Sequence, residues 1–221
     1  VDIAVIEVGL GGRFDATNVL APKVTAITQI DMDHEQYLGD QILEIAREKA
    51  GIIKEGVPII TGATQLEVID YFEEAAQTQN APLVRLGRDI ITSGENPQKF
   101  IYQKGKQKRS LSCPLLGKHQ IDNAAIAIGI IEQLSDFSVS ENAISEGISG
   151  VKWPGRLQTI RTEPWILLDG ARNPNGMRTL VSFLEASHQN RSGKKWLIVG
   201  MMRDKNIKEM LSPLASWADE V

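Results

Sequence analysis

Strand-like apolar runs alternate with amphipathic helical segments along most of this chain, and that alternation limits the fold more than any other feature. VDIAVIEV (1–8) and KVTAITQI (23–30) read as central strands, the first buried from its first residue. DQILEIAREKAGIIK (40–54) reads as a helix with apolar positions Ile42, Ile45, Ala46, Ala50 and Ile53. Then follow a strand in VPIIT, a helix in LEVIDYFEEAAQTQ and a strand in PLVRL. KFIYQKGKQKRSLS (99–112) reads as a hairpin turning at Lys104-Gly105, its basic run a solvated turn. HQIDNAAIAIGIIEQL is a strong helical pattern, and a shorter one spans Glu141 to Ile148. After Pro154-Gly155 the alternation restarts with strand WILLDG, helix GMRTLVSFLEA, strand KKWLIVGM and helix IKEMLSPLASWA. The pattern predicts an α/β fold with a mostly parallel sheet and flanking helices. It places a domain boundary near Trp153 to Arg156, giving units over 1–154 and 155–221.

A net charge of −4 argues against nucleic acid as the main partner, which usually needs a basic surface. The single cysteine, Cys113, excludes an intrachain disulfide and fits a reducing compartment, so a cytoplasmic location is expected. No apolar run is long enough to span a membrane, and no signal peptide is visible. Val1 is not a methionine, and SWADEV stops where a further strand could begin. The expectation is an internal piece of a longer enzyme.

Ligands of open α/β sheets gather at the carboxyl ends of strands. VIEVGLGGRFDATNV (5–19) puts Glu7 and a glycine loop there. The loop fails the dinucleotide fingerprint, because Phe14 stands where the third glycine belongs, and no phosphate-binding G-x-x-x-x-G-K-[ST] occurs in the chain. Glu7 either holds Mg²⁺ opposite a nucleotide bound elsewhere or is satisfied by loop amides. DMDHEQYLG places Asp33 and His34 at the next strand end, where His34 is a metal ligand or a surface histidine. Lys49 falls on the apolar side of its helix. It either snorkels outward or is buried, and a buried neutral amine beside a metal could become a carbamate. Asn123 could bond a base edge or ribose, or pack as an ordinary polar residue. Arg156 could clamp phosphate at the joint between units, or form an ion pair. Asp169, at a strand end before a helix, is a ligand contact or a helix cap.

Together these segments resemble the folylpolyglutamate synthase and dihydrofolate synthase family of the Mur ligase superfamily. The resemblance rests on VIEVGLGGRFDATNV, on DHEQYLG followed by EIAREKAGIIK, and on LLGKHQIDNAA, WPGRLQ, LLDGARNP and VGMMRDK, in the family's order over essentially the whole chain. It implies a central Mur-ligase ATPase domain over 1–154, lacking its N-terminal part. It implies an incomplete, Rossmann-like glutamate-ligase domain over 155–221. The implied activity is ATP-dependent ligation of L-glutamate to a folate or dihydropteroate carboxylate through an acyl phosphate. Glu7 and His34 match the family's Mg²⁺ ligands and Lys49 its carbamylated lysine. Phe14, Asp15 and Ala16 match the loop that touches the pterin. Asn123, Arg156 and Asp169 match ATP-contacting positions. The implied partners are small molecules (ATP, L-glutamate, folate or dihydropteroate), with no nucleic acid, no membrane and a monomeric state.

Two departures stand out. Arg172 replaces a histidine the family places near the ligation centre, and an arginine cannot shuttle a proton. The family's phosphate loop would precede Val1, so the isolated 221-residue chain is expected to be inactive. Three rivals are weighed against this reading. A nicotinamide-dependent dehydrogenase lacks its third glycine. A Mur-type ligase of cell-wall precursors fits the G-L-G-G-R-x-D-A-T-N register less well. A non-catalytic nucleotide-binding relative draws its support from Arg172.

Overall fold

The structure is a computed structural model that describes residues 2–32, 41–96, 98–188, 193–202 and 207–221. Its contacts divide it into two compact units, Val1–Pro114 with Lys118–Val151, and Leu115–Gly117 with Lys152–Val221.

The first unit is organised by three short parallel strands, β1 (Thr25–Ile27), β2 (Ile59–Thr61) and β3 (Leu83–Arg85), in that spatial order. All three β2 residues are buried, as expected for a parallel strand covered on both faces. Helices α1 (Ile42–Ala50) and α2 (Leu66–Thr78) fill the crossovers between these strands and pack on each other. Ile45, Ala46 and Ala50 from α1 meet Val68, Ile69 and Phe72 from α2 in one core with Ile27 and Ile59. Helix α3 (Lys118–Ile131) packs against β1 and β2. Its Gly129 lets the helix also approach Ile90, since a Cβ there would stand 2.7 Å from Ile90 Cδ1.

An antiparallel sheet of β4 (Ile90–Asn96), β5 (Lys99–Lys104) and β6 (Gln107–Ser112) follows. The basic hairpin is present, with Gly105 at φ 57° in its turn. Strand β4 is an addition to the sequence reading. Just beyond α3, Glu132 accepts hydrogen bonds from the Tyr102 hydroxyl (2.8 Å), from Lys104 Nζ (3.0 Å) and from the Arg109 guanidinium. Burial alone would raise this carboxyl, but the donors Arg109, Lys104 and Tyr102 outweigh it and hold Glu132 below its ordinary range. Arg109 also pairs with Glu141 in helix α4 (Glu141–Ser149), tying that helix to β6.

The second unit has a hairpin of β7 (Gln158–Thr162) and β8 (Trp165–Leu168), then α5 (Pro174–His188) and α6 (Ile207–Ala215). Met177 and Leu184 from α5 and Met210 and Leu214 from α6 form its core.

Two expected strands are corrected. Residues 2–8 form no ladder, and Ile3, Val5 and Ile6 are 49%, 97% and 53% exposed. The stretch KKWLIVGM contributes only an isolated bridge from Trp196 to Glu220, with Ile198 97% exposed. Apolar composition supplies strand propensity, but a strand also needs a neighbour for its amides and carbonyls. Neither segment has a ladder partner among the described residues. The α/β class, with a parallel sheet and flanking helices, stands.

Candidate functional site

The glycine loop of residues 9–15 is organised by Asp15. Its Oδ2 accepts the amides of Gly9 and Leu10, both at 3.0 Å. Its Oδ1 accepts the Thr17 amide at 2.9 Å and the Thr17 hydroxyl at 2.6 Å, which caps a short 3-10 turn over Ala16–Val19. The Thr17 hydroxyl, then the amides of Leu10, Thr17 and Gly9, pull the Asp15 pKa from 3.8 down to about 2. With the carboxylate turned inward, Phe14 is left 86% exposed at the tip, and Ala16 is exposed beside it.

This loop docks on the C-terminal end of α1, the turn that carries Lys49. The last carbonyls of a helix lack intrahelical donors. Here Arg13 N–H donates to Glu48 O at 2.8 Å, and the Asn18 side-chain amide donates to Gly51 O at 3.1 Å. A Cβ on Gly12 would stand 2.8 Å from Glu48 O and 3.1 Å from Lys49 Cα, so the two backbones touch directly. Lys49 is partly buried. The structure therefore brings Phe14, Asp15, Ala16 and Lys49 into one neighbourhood.

Glu7 is exposed on the unpaired segment before this loop. Its carboxylate takes no hydrogen bond or ion pair among the described residues. Two unspent carboxylate oxygens suit a hard divalent cation. Asp33 and His34 lie outside the described residues, and among the described residues no three His, Cys, Asp or Glu side chains form a metal cluster. Asn123 is exposed on α3 and donates to Gln120 Oε1 at 3.3 Å. One residue before it, Asp122 is pushed above its usual range by burial.

In the second unit, Asp169 joins two loops. Its Oδ2 accepts Leu157 N–H and its Oδ1 accepts Ala171 N–H, both at 2.8 Å. Gly170 N–H donates to Gly155 O at 2.8 Å, closing the same junction. The arrangement holds Leu157 at φ 45° with its side chain buried. The neighbouring arginines, Arg156 and Arg172, are both exposed. Asp169 is thus a loop clamp within its unit, and it brings the Arg156 and Arg172 loops together.

The sequence reading gave no role to Asn18, Gly12 or Gly51. The D-A-T-N register was visible, but the partner of Asn18 is 33 residues away, on α1's end, and no periodicity signals it.

Residues 1–131 match the Mur ligase middle domain, and residues 155–221 match the Mur ligase glutamate ligase domain. The chain is 35% identical to the dihydrofolate synthase/folylpolyglutamate synthase of Bacillus subtilis over 229 aligned residues, covering 100% of this chain and 53% of that protein. Among solved structures, an FPGS–AMPPCP–folate complex superimposes with a TM-score of 0.90 at 32% identity, covering 100% of this chain and 55% of the other. A bifunctional folylpolyglutamate synthase/dihydrofolate synthase with Mn, AMPPNP and L-glutamate bound gives 0.83 at 34% identity, covering 96% and 50%. The chain spans about half the length of the curated relatives it matches. A middle-domain match over more than half of the residues, and likeness to these synthases along the whole chain, lead to one conclusion: the chain belongs to the Mur ligase family, in its folylpolyglutamate synthase/dihydrofolate synthase group.

Proposed function

We propose that the full-length protein carrying this chain is an ATP-dependent ligase that joins L-glutamate to the carboxylate of a folate or dihydropteroate. The observation that carries this reading is likeness to dihydrofolate synthase/folylpolyglutamate synthase along the entire chain, including the docked loop and helix end around Lys49. Residues 1–154 serve as the ATPase domain and 155–221 as the glutamate-ligase domain. In the reaction, a substrate carboxylate oxygen takes the γ-phosphoryl group of ATP and ADP leaves. The glutamate amine then attacks the acyl carbon, phosphate departs, and the amine nitrogen loses its proton.

The chain's residues divide this work. Glu7 and His34 would hold the divalent cation, and Lys49, as amine or carbamate, would serve the same site. When bound, Mg²⁺ offsets negative charge on the phosphates. Phe14 and Ala16 present the pterin-facing surface, and Asp15 acts by holding their loop, since both its oxygens are already engaged. Asn123 and Arg156 contact the nucleotide. Asp169 serves that contact by fixing the Arg156 loop. Arg172, permanently charged, holds a carboxylate of the incoming glutamate or of the acceptor instead of moving a proton. The protein works as a cytoplasmic monomer on small molecules.

The test is glutamate ligation by the full-length protein with ATP and Mg²⁺, comparing dihydropteroate with tetrahydrofolate. The expected result is ADP and phosphate release matched by glutamate incorporation into at least one acceptor. Turnover of neither acceptor would overturn the reading.

A further inference from the structure

We propose that Asn18 is a positioning residue that fastens the Phe14 loop to the helix end carrying Lys49, so that the two move as one body. The meaning of those two sides, acceptor and metal, rests on the function proposed above; the fastening itself does not.

An asparagine amide offers two N–H donors. In Asn18 one group serves both sides, donating to Arg13 O in its own loop at 2.9 Å and to Gly51 O at the end of α1 at 3.1 Å. The Asn18 backbone carbonyl accepts Lys54 Nζ at 3.0 Å, from the segment just past that helix. Asn18 itself is held by Asp15, whose carbonyl accepts the Asn18 N–H at 2.9 Å. A continuous path therefore runs from the carboxylate that shapes the loop, through Asn18, to a point two residues beyond Lys49.

The interface it fastens has no slack. A Cβ at Gly51 would stand 2.4 Å from both Arg13 Cα and Cβ. A Cβ at Gly12 would meet Glu48 O at 2.8 Å. Backbone packed on backbone cannot absorb a shift by changing a rotamer, so a displacement of the loop carries the helix end with it. The Arg13–Glu48 ion pair across the same contact, at 3.9 Å and with both side chains partly exposed, is too loose and too solvated to do this alone.

The test uses Asn18→Asp, which keeps the shape and removes both donors, and Asn18→Ala, in the full-length protein. Both should raise the KM for the pteroate acceptor and the Mg²⁺ concentration for half-maximal rate together, each about three- to tenfold, as loss of the one hydrogen bond that crosses to Gly51 implies. The KM for ATP should stay put. Amide hydrogen exchange should accelerate in residues 9–13 and in residues 51–53 together. Acceleration on one side only, or movement of one kinetic constant without the other, would overturn the proposal. In the unmutated protein, selective ¹⁵N-asparagine labelling should find both Asn18 side-chain protons shielded from solvent exchange. Rapid exchange of either would also overturn it, whether or not the variants fold. If the unmutated protein ligates no glutamate, the functional reading fails while the exchange measurements still decide the role of Asn18.

Discussion

The loops around Asp15 and Asp169 are built on one device, a carboxylate that collects backbone amides, yet they differ in reach. Asp15 draws its donors from Gly9, Leu10 and Thr17, all within six residues, and adds a hydroxyl. Asp169 draws on Leu157 and Ala171, one of them across a hairpin, and uses amides alone. The first loop closes on itself and then docks as a preformed piece on α1. The second exists only once β7 and β8 have paired. A preformed piece is sensitive to the surface it docks on, whereas a junction is sensitive to the residue that joins it.

The largest effect should come from that docking surface. Gly51→Ala places a methyl group 2.4 Å from Arg13 Cα and 2.9 Å from Arg13 N, atoms that move only with the backbone. Overpacking of this kind should cost about 2–3 kcal/mol, read as a lower urea midpoint at unchanged slope. Gly170→Ala is its counterpart in the second loop, where the nearest atom to the added carbon is Gly155 O at 3.3 Å. Its cost should stay below about 1 kcal/mol, since a few tenths of an ångström suffice to relieve it. Equal losses in the two variants would break the contrast.

Next in size is Asp169→Ala, which strips the acceptor from two amides, one belonging to a residue only 3% exposed. The expected loss is about 1–3 kcal/mol, the usual cost of stranding a partly buried donor. The loop should also open locally. Arg156 is exposed, so limited trypsin digestion should cut after it faster in this variant while cleavage after Arg13 is unchanged. Asp15→Ala should give the opposite pattern, with faster cutting after Arg13 and none gained at Arg156. Faster cutting at both sites in either variant would mean that the loops are not independent.

Much of this organisation can be read in the sequence, and the exceptions have physical causes. The crossover helices and the parallel strands announce themselves through period and apolar run length, because burial forces those patterns. Asp15 is read from the sequence only as part of the pterin loop, and its role in holding that loop comes from the structure. Strand status of residues 2–8 is not legible, because composition cannot say which neighbour completes a ladder, and Val5 stands 97% exposed. Strand β4 was hidden by its polar half, TSGEN, which reads as a turn. Asn18 and Gly51 were hidden for a different reason: their partnership spans 33 residues, and the space at a glycine is a tertiary property. Lys49 is legible by its place on its helix, whereas Glu7 is placed at a strand end that the structure does not form, and neither signal says what the residue holds.

The smallest effect separates the chemistry of the two carboxylates. The Asp15 pKa is about 2 in the folded loop and 3.8 as the ordinary value, so its depression favours the folded loop above pH 3.8. That contribution fades as pH falls from 3.8 through 2, and it is constant between pH 5 and 8. The amide resonances of Gly9, Leu10 and Thr17 should therefore titrate with a midpoint near 2. The Thr17 hydroxyl, at 2.6 Å, is the largest cause of the depression. Thr17→Val keeps the shape and the amide but removes that donor, so the midpoint should rise toward 3.8 while the neutral-pH structure is retained. An unmoved midpoint would mean that amides alone hold the carboxylate. The Asp15 loop would then be fastened by the same chemistry as the Asp169 junction, and reach would be the only difference left between them.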